Sequence, residues 1–162
     1  MDLHQDWDAI KTVFSEALSS NRHCTIGSVD ANGNPHITPI GFVFLRDDKT
    51  LYYFEQYSKN LPLNFKTNRN VCVSLVNSGA KFWLSSLAKG RFASFPGMRF
   101  YGEVGDTRQA WPDELACLRK RIGPLQYLKG GRLIWSGLET VREIRLTGVE
   151  PVRYPRMMEH LL

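Results

Sequence analysis

The chain has few cysteines, and none of them form a C-x-x-C pair. Cys24, Cys72 and Cys117 lie far apart and are odd in number, which argues against a disulfide framework and against a structural zinc site. Cys24 and Cys72 sit in apolar runs of the kind that form strands, where a free cysteine behaves as a small buried hydrophobe. We therefore predict a structural role for all three.

Long apolar runs and a basic leader segment are also missing. No run approaches the roughly 20 apolar residues that a transmembrane helix needs. The N-terminal stretch "MDLHQDWDAIKTVF" has acidic residues where a signal peptide would be basic. These absences predict a protein of the cytoplasm that has no membrane partner.

Motifs of catalysis by protein groups are absent as well. The chain contains no G-x-S-x-G, H-E-x-x-H or G-x-x-x-x-G-K pattern. Its four histidines are scattered, although His23 and His36 flank a predicted hairpin and could face each other across it. Such a pair would lack an obvious carboxylate as third metal ligand. We predict no metal site, and the catalytic residues stay unassigned.

The composition is that of a folded protein: 43% of the 162 residues are hydrophobic and 23% are charged. This length fits one domain over residues 1–162. The net charge of +5 is spread out, and the densest basic run, "CLRKRIG", lies at a predicted helix end that favours cations. The aromatic stretch "LYYFE" has no interleaved lysine or arginine, as a nucleic-acid-binding barrel would require. We predict a small anionic ligand and no nucleic acid.

Hydrophobic periodicity predicts an α+β protein with about six antiparallel strands and three peripheral helices. An amphipathic helix over 6–19 precedes a barrel core over about 23–148 and a C-terminal tail over 149–162. Pro39 interrupts the second predicted strand, 36–45, so this point is expected at a sheet edge or a bulge. The remaining predicted elements are strands at about 23–29, 50–56, 70–76, 98–106 and 139–154, helices at 61–68 and 106–123, and a loop at 123–137.

One polar corner stands out between two apolar strands, at Ser58, Lys59 and Asn60. A hydroxyl, an ammonium and an amide just before a short helix can converge on a phosphate, and the helix N-terminus adds free N–H groups. The same three residues are also ordinary turn composition, and from these residues alone the solvated turn is the simpler interpretation.

The order of several segments resembles the FMN-binding split-barrel family of pyridoxamine 5′-phosphate oxidase and its relatives. The resemblance runs from "GSVDANGNPHITPIGFVF" through "LYYFEQYSKN" to "NRNVCVSL", with "RFYGEV" as a later strand. It covers roughly residues 5 to 150 and implies a single-domain, six-stranded antiparallel split β-barrel of the Greek-key type. The resemblance also implies a homodimer with an FMN in each of two clefts at the subunit interface.

By this resemblance, one strand offers backbone groups to the flavin ring, and the corner with the preceding strand end holds the ribityl phosphate. The implied cofactor-binding residues are Thr38, Pro39, Ile40, Gly41, Phe54, Glu55, Ser58, Lys59 and Asn60. Relatives commonly carry two further basic residues at the positions where this chain has Tyr57 and Val43. The phosphate charge is therefore expected to be less fully neutralised here, unless Arg91 or Arg99 reaches it.

The expected function is that of an FMN-dependent oxidoreductase acting on a small-molecule redox substrate. The C-terminal "EPVRYPRMMEHLL" lacks the arginine and histidine cluster that reads pyridoxal phosphate in the true oxidases, so the substrate is expected to differ. A deazaflavin has a similar phosphate-bearing tail, so the same residues would also suit that cofactor. The alternative is a non-catalytic flavin- or haem-binding module for storage, sensing or electron transfer, with His23 or His36 as iron ligand. For the aromatic segment 77–97 the sequence leaves three roles open: it could cover the flavin, shape a substrate pocket or form a dimer interface. The same three roles are open for Trp135.

Overall fold

The computed structural model describes residues 1–161 and contains one antiparallel sheet of seven strands in the order β2-β1-β5-β6-β7-β4-β3. The strands are β1 Cys24–Val29, β2 Pro35–Ile40, β3 Val43–Leu45, β4 Thr50–Phe54, β5 Asn70–Val76, β6 Gly97–Gln109 and β7 Thr140–Pro151. The predicted α+β class with a split barrel is confirmed, but the predicted count of six strands is wrong.

The seventh strand arises where the predicted strand 36–45 divides. β2 ends at Ile40 and β3 begins at Val43, so only Gly41 and Phe42 connect them. These two strands nevertheless form the opposite edges of the sheet, β2 on β1 and β3 on β4. A link of two residues cannot cross a flat sheet of seven strands at about 4.8 Å per strand. The sheet must therefore curl into a barrel, which stays split between β2 and β3.

Within the described residues 1–161, six α-helices surround the barrel, rather than the three that the sequence predicts. They are α1 Trp7–Asn21, α2 Asn60–Asn64, α3 Ala80–Lys89, α4 Pro112–Ile122, α5 Lys129–Trp135 and α6 Pro155–Met158. The predicted loop at 123–137 is wrong, because a 3₁₀ helix over Gly123–Tyr127 and then α5 occupy it. None of the helices in residues 1–161 has the length and apolarity to span a lipid bilayer.

Helix α1 lies against the barrel with its apolar face inward. Ile10, Val13 and Phe14 are buried, and the Phe14 ring meets the Phe100 ring edge-on at 6.0 Å between centroids. They join one large cluster with the inward side chains of β1, β4, β5 and β6, such as Ile26. Burial of each such side chain contributes about 1.5–3 kcal/mol, so α1 is part of the core.

Helix α4 is fixed to the sheet by charge. Glu114 is 1% exposed, and its carboxylate accepts hydrogen bonds from Arg46 and, at 2.9 Å, from both terminal nitrogens of Arg108. Glu143 on β7 accepts from the same two arginines at 2.8 and 3.2 Å. The Trp111 ring stacks on Arg108 at 3.7 Å from the guanidinium carbon. The network is satisfied, so we assign it a structural role.

The aromatic segment 77–97 forms α3 and a small core of its own. The Phe92 ring is fully buried, 5.5 Å from Phe82 and 5.3 Å from Trp83 between centroids. Tyr154, beyond the end of β7, closes the group at 5.4 Å from Phe92. The aromatics of this segment therefore dock the C-terminal residues on the barrel.

Candidate functional site

A cleft of about 410 Å³ opens at the split of the barrel. Its walls are the end of β2, the Gly41–Phe42 link, the residues after β4 and the C-terminal end of α5. Phe42, Phe54, Ile134, Trp135 and Leu138 make these walls largely apolar. The volume lies within the range of roughly 300–1,000 Å³ that small-molecule sites occupy.

Seven of the nine predicted cofactor-binding residues line this cleft. They are Thr38, Pro39, Ile40, Gly41, Phe54, Glu55 and Ser58. Lys59 and Asn60 follow directly at the corner; they are exposed and do not line the cleft. Two segments 13 or more residues apart in sequence thus meet in one cleft.

The β2 wall carries free backbone. β2 pairs with β1 on one side, with Pro39 opposite Thr25 and Thr38 opposite Ile26, and its other side is the sheet edge. The expectation that Pro39 lies at an edge is confirmed. An edge strand leaves a row of N–H and C=O groups unpaired. The cleft therefore offers main-chain donors and acceptors beside apolar side chains.

Glu55 is the carboxylate in the cleft lining, and side chains of the same chain already donate hydrogen bonds to both of its oxygens. Arg142 donates from Nε and Nη2 to the two carboxylate oxygens at 2.9 to 3.1 Å. Tyr53 and Thr107 donate their hydroxyl protons to it at 3.1 and 2.8 Å. The Glu55 main-chain N–H donates to the carbonyl of Thr140 at 3.1 Å. Glu55 thus braces the end of β4, and its carboxylate is already engaged.

The corner is shaped by Ser58. Its Oγ accepts a hydrogen bond from the N–H of Leu61 at 3.3 Å, as an N-terminal helix cap does. The helix that follows, Asn60–Asn64, is shorter than the predicted 61–68. It is anchored by Asn64, which donates to the Ser28 hydroxyl at 2.9 Å in the buried interior. The corner is rigid at Ser58, and the Lys59 side chain extends into solvent.

Helix α5 is held over the cleft by the residues before the corner. The Tyr57 hydroxyl donates to the carbonyl of Ile134 at 2.6 Å, and Gln56 Nε2 donates to the carbonyl of Ser136 at 2.9 Å. Sequence reasoning missed this wall, because the glycine-rich segment around it shows no helical periodicity. The tryptophan in "RLIWSG" was the available signal, and Trp135 does line the cleft.

The candidate histidines lie elsewhere and do not face each other. The ladder pairs His36 with Ser28, at the far end from His23, which precedes β1. His36 Nε2 lies 3.2 Å from an Asp30 carboxylate oxygen, and His23 Nδ1 lies 2.8 Å from the carbonyl of Asn21. Within residues 1–161 no three His, Cys, Asp or Glu side chains come together as metal ligands would.

The other basic candidates are also distant from the cleft. Arg99 lies 4.0 Å from Glu150 across the β6–β7 ladder, and Arg91 follows α3 on the surface. Neither lines the cleft. Within this chain, Lys59 is the cation next to the corner.

The family model described as pyridoxamine 5′-phosphate oxidase matches residues 10–123. The chain belongs to the pyridoxamine 5′-phosphate oxidase family. In this family member the match includes β2, the end of β4 and the corner, which form three sides of the cleft. It ends before α5 and before Arg142, so the fourth wall and the partner of Glu55 lie outside it.

Solved structures share the fold at low sequence identity. An FMN-binding protein from Syntrophomonas wolfei aligns over 92% of this chain and 89% of its own, at 15% identity and a TM-score of 0.63. HutZ, the haem storage protein from Vibrio cholerae, aligns over 93% and 95% at 16% identity and 0.55. HupZ from Group A Streptococcus aligns over 85% and 90% at 20% identity and 0.54. No curated protein matches by sequence.

Proposed function

We propose that this chain binds FMN in the cleft at the barrel split and works as a flavin-dependent oxidoreductase. The observation that supports this most is the meeting of a free strand edge, apolar walls and Ser58 in one cleft, with Lys59 and Asn60 next along the chain. A flavin needs these three things: hydrogen bonds at the ring edge, apolar contact for the ring faces, and donors for a phosphate. The FMN-binding structural relative is consistent with it.

The residues present fit the cofactor. Thr38 to Gly41 would hold the ring edge through main-chain groups, with Trp135 and Phe54 as apolar neighbours. Ser58 uses its oxygen to accept from Leu61, so its proton remains available to a phosphate oxygen. Lys59 and Asn60 would add an ammonium and an amide at the same corner, where charge-assisted hydrogen bonds are the strong ones.

When bound, FMN supplies hydride or single-electron transfer, which the protein side chains cannot. The chain's own residues bind and orient the cofactor and exclude water. Glu55, the carboxylate of the lining, is held by Arg142 and does not move protons. The absence of a free acid or base in the cleft suits a protein whose cofactor carries the chemistry, on a small redox substrate.

We further propose a homodimer, with each cleft completed by the partner subunit. One side of the cleft is the uncovered edge of β2, and Ile37 on that strand is 76% exposed. An exposed sheet edge with a large apolar side chain is a surface that proteins usually cover. A partner there would bring further groups to the flavin.

The haem-binding alternative draws on the fold shared with HutZ. Its iron ligand would have to be found away from the cleft, because His23 and His36 line no part of it. FMN is therefore the cofactor that we propose.

The deciding experiment is an absorbance spectrum of the purified protein, repeated after reconstitution with FMN and with haem. Bound-flavin bands, together with quenching of FMN fluorescence on titration, are the expected result. A Soret band on the purified protein, without affinity for FMN, would replace the proposal with the haem alternative. A protein that takes up neither would overturn both.

A substitution series at Gly41 locates the flavin. A Cβ at Gly41 meets nothing nearer than the Arg22 carbonyl oxygen at 4.0 Å, so the fold tolerates a side chain there. Gly41→Ala should bind FMN slightly more weakly and Gly41→Leu, which adds a bulky side chain to a residue of the lining, at least about tenfold more weakly. Gly130→Leu is the matched control, since Gly130 has open space around it and does not line the cleft. Unchanged affinity in Gly41→Leu would move the flavin elsewhere.

A further inference from the structure

A second cleft of about 570 Å³ shares a wall with the first, at Gly41, Phe42 and Trp135. It lies between α1 and the C-terminal end of α4. Because Phe42 and Trp135 stand between the two volumes, a ligand here would be a neighbour of the flavin cleft and separate from it.

The floor of this second cleft is apolar and partly aromatic. Phe14 and Leu18 come from α1, Ile122 from the end of α4, and Leu125 from the 3₁₀ turn that follows. Leu125 remains 40% exposed although it lies in a concave surface. A floor of this kind binds a hydrocarbon or aromatic body through the area that it removes from water.

The rim is cationic. Arg22 and Arg121 line the cleft together with the hydroxyl-bearing Ser15 and Ser19, and no aspartate or glutamate is among the described residues that line it. Some arginines elsewhere in the fold form salt bridges, as Arg142 does with Glu55, whereas others in the described part of the chain, such as Arg91, do not. Within residues 1–161, neither rim arginine forms a salt bridge.

Arg121 is held in place without being neutralised. Its Nη1 donates to the carbonyl of Val43 at 2.7 Å, and its guanidinium carbon lies 4.0 Å from the Phe44 ring centroid. These contacts fix the fork and leave its other N–H donors for a ligand.

Arg22 occupies a backbone position that glycine usually fills. It follows α1 with a φ of 57°, and its N–H caps the carbonyl of Leu18 at 2.7 Å. Only glycine and asparagine enter this left-handed region at little cost. A glycine would therefore suit the main chain better, which makes Arg22 a residue whose side chain can be removed without harm to the helix end.

We propose that this second cleft binds an amphiphilic organic anion, with its apolar body on the Phe14–Leu18 floor and its anionic group between Arg22 and Arg121. A carboxylate, sulfonate or phosphate monoester on an aromatic or aliphatic body has this chemistry. The site stands on its own residues and does not depend on FMN in the neighbouring cleft.

The test uses two fluorescent probes that differ in one charge. They are 8-anilinonaphthalene-1-sulfonate and the uncharged N-phenyl-1-naphthylamine, titrated into the full-length protein with and without saturating FMN. The sulfonate should bind saturably and at least about tenfold more tightly than the neutral probe, since a charge-assisted contact gives a factor of that order. Equal binding of both probes, or none of the sulfonate, would overturn the proposal.

Variants place the probe. Arg22→Gly should weaken sulfonate binding by about tenfold while the thermal midpoint stays the same or rises. Arg121→Gln should weaken it to a similar degree. Lys120→Gln removes the same charge one residue away, outside both clefts, and should bind like the unmodified protein. Sulfonate affinity that survives Arg22→Gly, or falls equally in Lys120→Gln, would contradict the assignment.

The neighbouring cleft needs its own control. Because Gly41 lines both clefts, the variant that weakens the proposed flavin site alone is Lys59→Ala, which lies outside both linings. FMN titration of Arg22→Gly reports whether the flavin site is intact. If FMN displaces the sulfonate with the affinity of flavin binding, the anion lies in the first cleft and the second-site proposal fails. Failure of FMN binding in the unmodified protein would leave the sulfonate result unaffected.

Discussion

Arg142, near the start of β7, and Glu55, one residue past β4, form a buried ion pair with nitrogen–oxygen distances of 2.9 to 3.1 Å. Their side chains are 11% and 9% exposed. The third guanidinium nitrogen of Arg142, Nη1, donates to the carbonyl of Gly105 on β6 at 2.8 Å. One guanidinium therefore ties three strands together at the edge of the candidate flavin cleft.

Breaking this pair should cost stability. Arg142→Gln leaves the Glu55 carboxylate buried without a countercharge, and we expect the free energy of unfolding to fall by about 3 kcal/mol. Urea denaturation at neutral pH measures it. Arg145→Gln on the same strand is the control, because its pair with Glu103 is 68% and 49% exposed and should be worth less than about 1 kcal/mol. Equal losses in the two variants would contradict the role of Arg142 as a brace.

The Lys59 ammonium should matter for flavin affinity and little for folding. Lys59 is exposed at the corner, so Lys59→Ala should leave the thermal midpoint unchanged. Loss of a charge-assisted contact with the phosphate should weaken FMN binding by about tenfold or more. Fluorescence titration measures it, with Lys66→Ala, an exposed lysine just past α2, as control. If the two alanine variants bind FMN equally well, Lys59 has no part in the phosphate site.

The proposed homodimer makes Ile37 the side chain to change. In light scattering, the FMN-loaded protein should show about twice the chain mass of 18.6 kDa. Ile37→Lys should shift it to the monomer, since a lysine on an edge strand disfavours pairing. Leu84→Lys, on α3 and 67% exposed in the free chain, should remain dimeric. A monomeric parent protein would remove the interface cleft, and monomerisation by Leu84→Lys alone would place the contact away from it.

Because Cys24 is buried, we expect the protein to lose stability as the pH rises above the ordinary pKa of a thiol. Desolvation raises the pKa of the Cys24 thiol from the ordinary 9.0 to about 12. Between these values the unfolded chain has lost a proton that the folded chain keeps, so the free energy of unfolding falls as pH rises. Burial likewise raises the pKa of Tyr52 and of Tyr53.

Cys24→Ala isolates the thiol, because the tyrosines titrate alike in both proteins. By about pH 10 the parent should have lost roughly 1 kcal/mol more than the variant. Below about pH 8 the thiol is protonated in both states, and the difference between the proteins should be constant there. Urea denaturation across this range is the measurement, and parallel curves up to pH 10 would show that Cys24 gains water before the chain unfolds.

Much of the fold could be predicted because its signals are local. Aromatic, β-branched and apolar runs in "TLYYF" and "NVCVSLV" predict β4 and β5, and Pro39 marks an edge strand since proline cannot donate to a ladder. Helix α5 could not be predicted: it contains Gly130 and Gly131, and its position depends on hydrogen bonds from Gln56 and Tyr57. Its existence is a tertiary effect.

The candidate site divides in the same way. The order of segments placed Thr38–Gly41 and Ser58 in one cleft, and the structure brings them together there. The partner of Glu55 lies 87 residues away, in a strand where arginines alternate with apolar residues. Strand alternation puts Arg142 on the same face as Ile144 and leaves Arg145 on the opposite face. The pairing of Arg142 with Glu55 depends on the register between β4 and β7.

The connection of Gly41 and Phe42 joins two edges of one sheet and also forms part of the wall of both clefts. Its length therefore limits the distance between the β2 and β3 edges, and with it the opening of the split barrel. Two or three glycines inserted after Gly41 would let β2 and β3 move further apart, while the β1–β2 and β3–β4 ladders kept their register. The binding sites would change shape although the pairing within each ladder stayed the same. The length of this link therefore determines the size of ligand that the clefts accept.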